Sequence, residues 1–130
     1  MTNFVLNLLS KHEAELLNEN LLGIPAEDRI LIVRPSDESK TSSGLYIPTN
    51  AEDEIPKKGV VIKFGPVSEA YQRTAFIQIF KVGSVVTFGK YAGKEIQPRF
   101  IIDTGINLDN QKFSILSLNE VLYIEPNSNQ

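Results

Sequence analysis

Two residue types that carry much of protein chemistry are nearly missing from this chain. It has no cysteine and a single histidine, His12, among its 130 residues. It can therefore form no disulfide, no thiolate-ligated metal site and no histidine-rich metal centre. Sequence motifs of nucleotide-binding loops and of serine nucleophiles are absent too. His12 lies in a helical pattern where an exposed side chain is the simplest interpretation. We expect no metal, no cofactor and no catalytic residue, and we predict that the protein is not an enzyme.

Positive charge and long apolar runs are also scarce. Lys and Arg number 13 against 16 Asp and Glu, which gives a net charge of -3. Lys57 and Lys58 are the only adjacent basic residues, so no basic patch predicts a nucleic-acid partner. No apolar run approaches the roughly 20 residues of a membrane span. The first residues carry no positive charge and Glu13 follows soon after, unlike a signal or transit peptide, so we expect a cytoplasmic protein without a membrane partner.

The first part of the chain has a helical pattern. Residues 3–22 place apolar side chains at helical spacing, and Ser10 followed by Glu13 fits a capping box. The pattern leaves open whether this stretch is one helix or two. Gly23 and Pro25 then predict that any helix ends before residue 28. We interpret residues 1–27 as a helical extension that packs on its own domain or on a neighbouring subunit or, alternatively, makes an accessory contact with a partner protein or cargo.

The pattern changes to β from Arg29 onward. Short runs rich in branched and aromatic residues are separated by glycine, proline and asparagine, which is typical of a small barrel or sandwich. The predicted strands are residues 30–33, 59–64, 84–88, 95–96, 100–102, 113–116 and 121–124. The unbroken run Ile30 to Val33 indicates a buried strand. We therefore predict an all-β fold behind the extension.

Residues 36–54 form a polar tract that is interrupted by one apolar tripeptide. Such a tract buries too little apolar surface to offset the entropy of ordering, so we predict a mobile loop. Leu45 and Ile47 would project to one side of an extended chain and Tyr46 to the other, with Gly44 before them. The stretch predicts a site that binds a partner by ordering, although an ordinary strand start would also fit it.

Several motifs occur in an order that resembles the GroES-type co-chaperonin family. The first is the strand that opens with Asp28-Arg29, and the second is the Ser-Gly-Leu-Tyr-Ile-Pro tract of residues 43–48. Lys58-Gly59 with two valines, the Lys-Val-Gly strand of residues 81–88, the turn Tyr91-Ala92-Gly93 and the closing strand 120–124 follow. Each motif is common by itself, but their shared order over residues 28–125 identifies the chain as similar to this family.

The resemblance implies a fold, a partner and an assembly. The fold would be a small irregular GroES-like β-barrel at residues 28–126, with a mobile loop at 36–54, a roof segment at 66–80 and a tail at 127–130. The protein would cap a GroEL-type chaperonin ring through Gly44, Leu45, Tyr46 and Ile47 and enclose non-native protein substrates. It would form a homo-oligomer, a heptamer in this family, in which the first strand of one subunit pairs with the last strand of its neighbour. The subunit interface would then contain Ile30, Leu31, Ile32, Val33, Val121, Leu122, Tyr123 and Ile124.

The chain departs from the family pattern in five places. Residues 1–27 exceed the family's short N-terminus, and Ser84 stands where the family has aspartate. Ser43 replaces a glycine, residues 67–80 are more apolar than a polar roof hairpin, and Arg99 to Lys112 forms a longer stretch than usual. These departures suit a divergent member, one that a phage could encode, and the host cytoplasm would then be its location. The alternative to the co-chaperonin interpretation is a small β-barrel that binds an oligonucleotide or an oligosaccharide. A binding assay at low and high salt would reveal the oligonucleotide version.

Overall fold

A computed structural model describes residues 8–35, 57–73, 81–89 and 91–127. The elements in these ranges are α1 (Lys11–Asn20), β1 (Arg29–Pro35), β2 (Lys57–Phe64), α2 (Glu69–Gln72), β3 (Val85–Phe88), β4 (Lys94–Ile96), β5 (Gln111–Ser117), a 3₁₀ helix (Leu118–Glu120) and β6 (Val121–Glu125). The predicted all-β fold with a helical extension is confirmed. Residues 100–102, predicted as a strand, contribute only one isolated bridge, between Leu21 and Phe100.

The six strands form one sheet in the order β4-β5-β1-β2-β3-β6, and every neighbouring pair is antiparallel. Strands β4 and β6 are the two edges, and they do not pair with each other within the described residues. The strands that the structure describes therefore form a sheet that stays open between β4 and β6, where the predicted barrel would close. Register irregularities in the β1–β2 and β3–β6 pairs add local twist to the sheet.

Strand β1 is covered on both faces of the sheet. Its run Ile30 to Val33 is at most 2% exposed. Successive side chains of a strand point to opposite faces, and here they enter two separate clusters. Leu31 and Val33 pack in one cluster, and Ile30 and Ile32 pack in the other. The double burial explains why this segment has no polar residue to alternate with its apolar ones.

Helix α1 covers the first of these clusters. It begins after a complete capping box, in which the Glu13 amide donates to Ser10 Oγ at 3.1 Å and the Ser10 amide donates to Glu13 Oε1 at 2.9 Å. Ala14 and Leu17 are fully buried against the sheet. The predicted helix start at Ser10 is confirmed. Because its apolar stripe packs on its own domain, the structure favours the first of the two interpretations of the extension.

The first half of the predicted roof segment folds down onto the second cluster. Val67 and Tyr71 pack there, on either side of the start of the short helix α2. Asp28, with a φ of 57°, accepts a hydrogen bond from the Ser68 amide at 2.7 Å and so holds this segment beside the start of β1. Residues 74–80, the second half of the segment, lie outside the described residues.

Across the described ranges, none of the helices combines the length and the apolar character that crossing a membrane requires.

Candidate functional site

The two strands that flank the loop predicted to bind a partner are neighbours in the sheet, and the loop joins them at the same end. Strand β1 ends at Pro35 and strand β2 begins at Lys57, and the two strands pair directly, with Val33 opposite Val60. The four predicted contact residues, Gly44, Leu45, Tyr46 and Ile47, lie outside the described residues. What the structure describes is therefore the base from which this segment leaves the sheet and to which it returns.

The base of this loop is tightly packed around Gly59. A Cβ at this position would lie 2.8 Å from Ile32 Cδ1, 3.2 Å from the Val33 carbonyl oxygen and 3.4 Å from Phe88 Cε1. A contact of 2.8 Å is shorter than van der Waals packing permits, so only glycine fits without a local shift. The glycine lets β2 approach the neighbouring side chains closely. The loop is thus attached to a closely packed part of the core.

A salt bridge joins the loop base to an edge of the sheet. Lys58 Nζ lies 3.0 Å from Glu125 Oε2, which is at the end of β6. Both side chains are partly exposed, so the pair contributes only a fraction of a kcal/mol up to about 1 kcal/mol. Its geometric role is to tie the first residues after the loop to the last residues of β6.

The predicted subunit interface is only partly compatible with the structure. Ile30, Leu31, Ile32 and Val33 are buried, and their strand is hydrogen-bonded to β2 on one side and to β5 on the other. Strand β1 therefore has no free edge for a neighbouring subunit, and this half of the prediction is corrected. The apolar run indicated burial, but it could not show that the burial is supplied within the same chain.

The other half of the predicted interface lies on a sheet edge. Strand β6 pairs only with β3 among the described strands, so its second backbone edge is open there. Leu122 is 66% exposed and Tyr123 is 62% exposed, whereas Val121 and Ile124 pack on the second cluster. Unpaired backbone groups beside exposed apolar side chains favour pairing with another chain.

A second apolar surface, not foreseen from the sequence, is formed by the segment that follows α1 and by the residues after Arg99, which are hydrogen-bonded to it. Leu22, Ile24, Ile101 and Ile102 are each more than half exposed. The segment Leu21–Pro25 and residues 96–99 line a groove of about 370 Å³ beside them. We call Leu22, Ile24, Ile101 and Ile102 the Leu22 patch. The long stretch after Arg99 was the one available sequence signal, because it departed from the family pattern.

No group of three or more His, Asp or Glu side chains placed to hold a metal ion occurs within the ranges that the structure describes.

Comparison with known proteins agrees with this geometry. The model of the chaperonin 10 kDa subunit family matches residues 23–124. A co-chaperonin GroES of Oleidesulfovibrio alaskensis is 42% identical over 73 residues, which cover 56% of this chain and 76% of that protein. Co-chaperonins GroES of Geobacter sulfurreducens and Cupriavidus taiwanensis are 33% and 31% identical over 98 and 100 residues, with 75% and 77% of this chain and 92% and 93% of theirs covered.

The family match spans most of the chain and covers the described sheet except for Glu125, the last residue of β6. Only α1 and the residues around it precede the match. The chain therefore belongs to the chaperonin 10 kDa subunit family, the family of GroES co-chaperonins.

Proposed function

We propose that this protein is a lid that caps a GroEL-type chaperonin ring and encloses non-native protein while it folds. Family membership supports a co-chaperonin role with a chaperonin partner. The family is not one of enzymes, so the ATP hydrolysis that drives the cycle would belong to the partner. The protein would work in the compartment of that partner, which is the cytoplasm.

The observation that carries the proposal is the way the loop is mounted. Residues 36–56, 21 positions, leave and re-enter the sheet on the paired strands β1 and β2. Tyr46 is at the midpoint of this segment, with Leu45 and Ile47 beside it. About ten residues on each side allow the tripeptide to reach at most about 35 Å from the sheet. An apolar anchor at the furthest reach of a polar tether suits the capture of a groove on another protein.

The free energy of loop binding favours a lid that can dissociate from its partner. Burying Leu45 and Ile47 would be worth roughly 1.5–3 kcal/mol each, and ordering the loop would offset several kcal/mol of this gain. A single loop should therefore bind weakly. Several loops on one ring would act together, because after the first contact the others bind at high effective concentration. Weak individual contacts also allow release during each cycle.

We further propose that the subunits form a closed ring, a heptamer as in the family, through their two exposed apolar surfaces. In a head-to-tail ring each subunit uses one surface on one neighbour and a different surface on the other. The open edge of β6 with Leu122 and Tyr123 supplies one surface. Leu22 and Ile24 of the Leu22 patch supply the second, in place of the buried strand β1. The edge strand would then be covered.

The proposal is tested by refolding of an aggregation-prone, chaperonin-dependent enzyme with chaperonin and ATP. We expect refolding to depend on addition of this protein, and we expect its native mass to be that of a ring. A ring without activity on several chaperonins, or a monomer without activity, would contradict the lid function.

The loop assignment has its own test. Leu45→Asp or Ile47→Asp places a charge where a groove would desolvate it, so each variant should lose at least about 1.4 kcal/mol of affinity per loop, which is tenfold, and lose capping once all loops carry it. Thr49→Asp is the matched control, because it adds the same charge to the same polar tract. We expect all three variants to keep the native mass of the wild type. Full refolding activity in both Leu45→Asp and Ile47→Asp would refute the assignment.

A further inference from the structure

Helix α1 is attached to the sheet at both of its ends, near opposite edges. We propose that α1 is a strap that holds the two open sheet edges, β6 and β4, at a fixed separation. The described residues show no pairing between β4 and β6. The strap would therefore do the work that strand pairing does in a closed barrel.

The first attachment is on the β6 side. The Asn127 side-chain amide, two residues after β6, donates to the Leu9 carbonyl oxygen at 2.9 Å. Gly83, just before β3, lies directly against the start of the helix: a Cβ there would be 2.7 Å from Lys11 Cγ and 3.2 Å from Lys11 Cα. Since β3 is the strand that pairs with β6, both contacts fix the helix start to this edge.

The second attachment is on the β4 side. The Leu22 amide donates to the Arg99 carbonyl oxygen at 2.9 Å, and the Ile101 amide donates to the Asn20 carbonyl oxygen at 2.7 Å. Phe100, between these two bonded residues, packs at 5.9 Å from the ring of Phe113. Phe113 is opposite Ile96 of β4. The end of the helix is thereby fixed to the other edge.

Between the attachments the helix is firmly seated. Ala14 and Leu17 have no exposed surface, and they pack with residues of β1, β2 and β3 in one cluster. A ten-residue helix is about 15 Å long and changes its length little. A stiff element fixed at both ends and along its length makes the two edges move together. If the subunits form a ring as proposed above, the strap would set the angle between the two neighbour-facing surfaces.

Hydrogen exchange on the full chain tests the strap. Ala14→Asp places a charge in a fully buried site and should release α1. We expect amides of β6 and of residues 99–101 to exchange at least about tenfold faster together, while amides of the central β1–β2 pair keep their protection. Glu15→Ala, on the exposed side of the same helix, is the matched control and should leave all of these rates unchanged.

A second variant serves if Ala14→Asp does not fold. A protease site is inserted at Gly23, where a Cβ would meet no other atom within 4 Å, and it is cut after folding. Diluting the cut protein releases residues 1–22. A parallel rise in exchange at both edges supports the strap. Edges that stay protected after α1 has left, or only one edge that loosens, overturn it. Native mass and refolding activity of the uncut wild type are measured separately, so failure of the lid function would be recognised independently.

Discussion

At two positions, Gly59 and Asp28, the residue type is explained by neighbours that are distant in the sequence. At the base of the predicted loop, the position that a Cβ of Gly59 would take lies 2.8 Å from a methyl group of Ile32 and 3.2 Å from the Val33 carbonyl oxygen. Asp28 adopts a left-handed backbone and uses its carboxylate to hold the Ser68 amide. The structural need at each position arises from residues distant in the sequence.

We predict that Gly59→Ala destabilises the protein by roughly 1–3 kcal/mol, because the added methyl group overpacks the contact with Ile32. Urea denaturation of both proteins would measure the loss of unfolding free energy. Gly89→Ala is the matched control: nothing lies within 4 Å of its Cβ position, so this change should be neutral or stabilising by up to about 1 kcal/mol. Equal stability of the two variants would contradict the close approach at Gly59.

Contacts between residues close in the sequence could be predicted, and contacts between distant residues could not. The Ser10 and Glu13 capping box is complete because its partners are three residues apart. The hydrogen bond from Ser68 to Asp28 joins residues 40 positions apart, and no pattern in the sequence indicates it.

Among the elements, α1 shows most clearly how packing decides a role. The sequence predicted an amphipathic helix but left its partner open, since an apolar stripe fits its own domain and another protein equally well. The structure buries that stripe on the sheet.

We predict that Leu17→Ala destabilises the protein by about 2–5 kcal/mol, because it leaves a cavity in a fully buried site. Leu16, the preceding residue on the same helix, is only half-buried, so Leu16→Ala is the control with the same chemistry. Chemical denaturation of the three proteins should rank Leu17→Ala well below Leu16→Ala. If both variants lost the same stability, the helix would not be seated as described.

The positions of the strands could be predicted from the sequence, but their order in the sheet could not. Branched and aromatic runs bounded by turn residues gave β1, β2, β3, β5 and β6 close to their observed bounds. Strand order depends on pairing between distant segments, and the run at Ile30 gave no sign that β2 and β5 both come from the same chain. The predicted interface at β1 failed for that reason, while the edge position of β6 leaves Leu122 and Tyr123 as interface candidates.

For the whole molecule, the order of motifs carried more information than any single motif. Short matches such as Lys-Val-Gly are common, but their sequence along the chain identified the family that the comparisons then showed. The Leu22 patch escaped prediction, because it depends on how the stretch after Arg99 folds back beside residues 20–22.

The prediction for the whole molecule concerns how the subunits assemble. Leu122→Asp should convert the proposed ring into smaller species, since it places a charge on the open edge of β6 where we propose that a neighbour packs. Sedimentation velocity or native mass spectrometry would detect the shift. Glu15→Lys changes charge on the exposed side of α1 and should leave the mass unchanged. A Leu122→Asp ring of wild-type mass would exclude this edge from the interface.

The position of β1 at the centre of the sheet also has a consequence for how the chain is made. Arg29 pairs with Ser117, 88 positions later, so the second neighbour of the central strand is synthesised long after the strand itself. The described sheet cannot be completed on a nascent chain until β5 and β6 have left the ribosome. Folding that depends on such distant contacts is slow compared with that of helical proteins. A protein proposed to shelter the folding of others would itself keep its central strand paired on one side only until β5 has been synthesised.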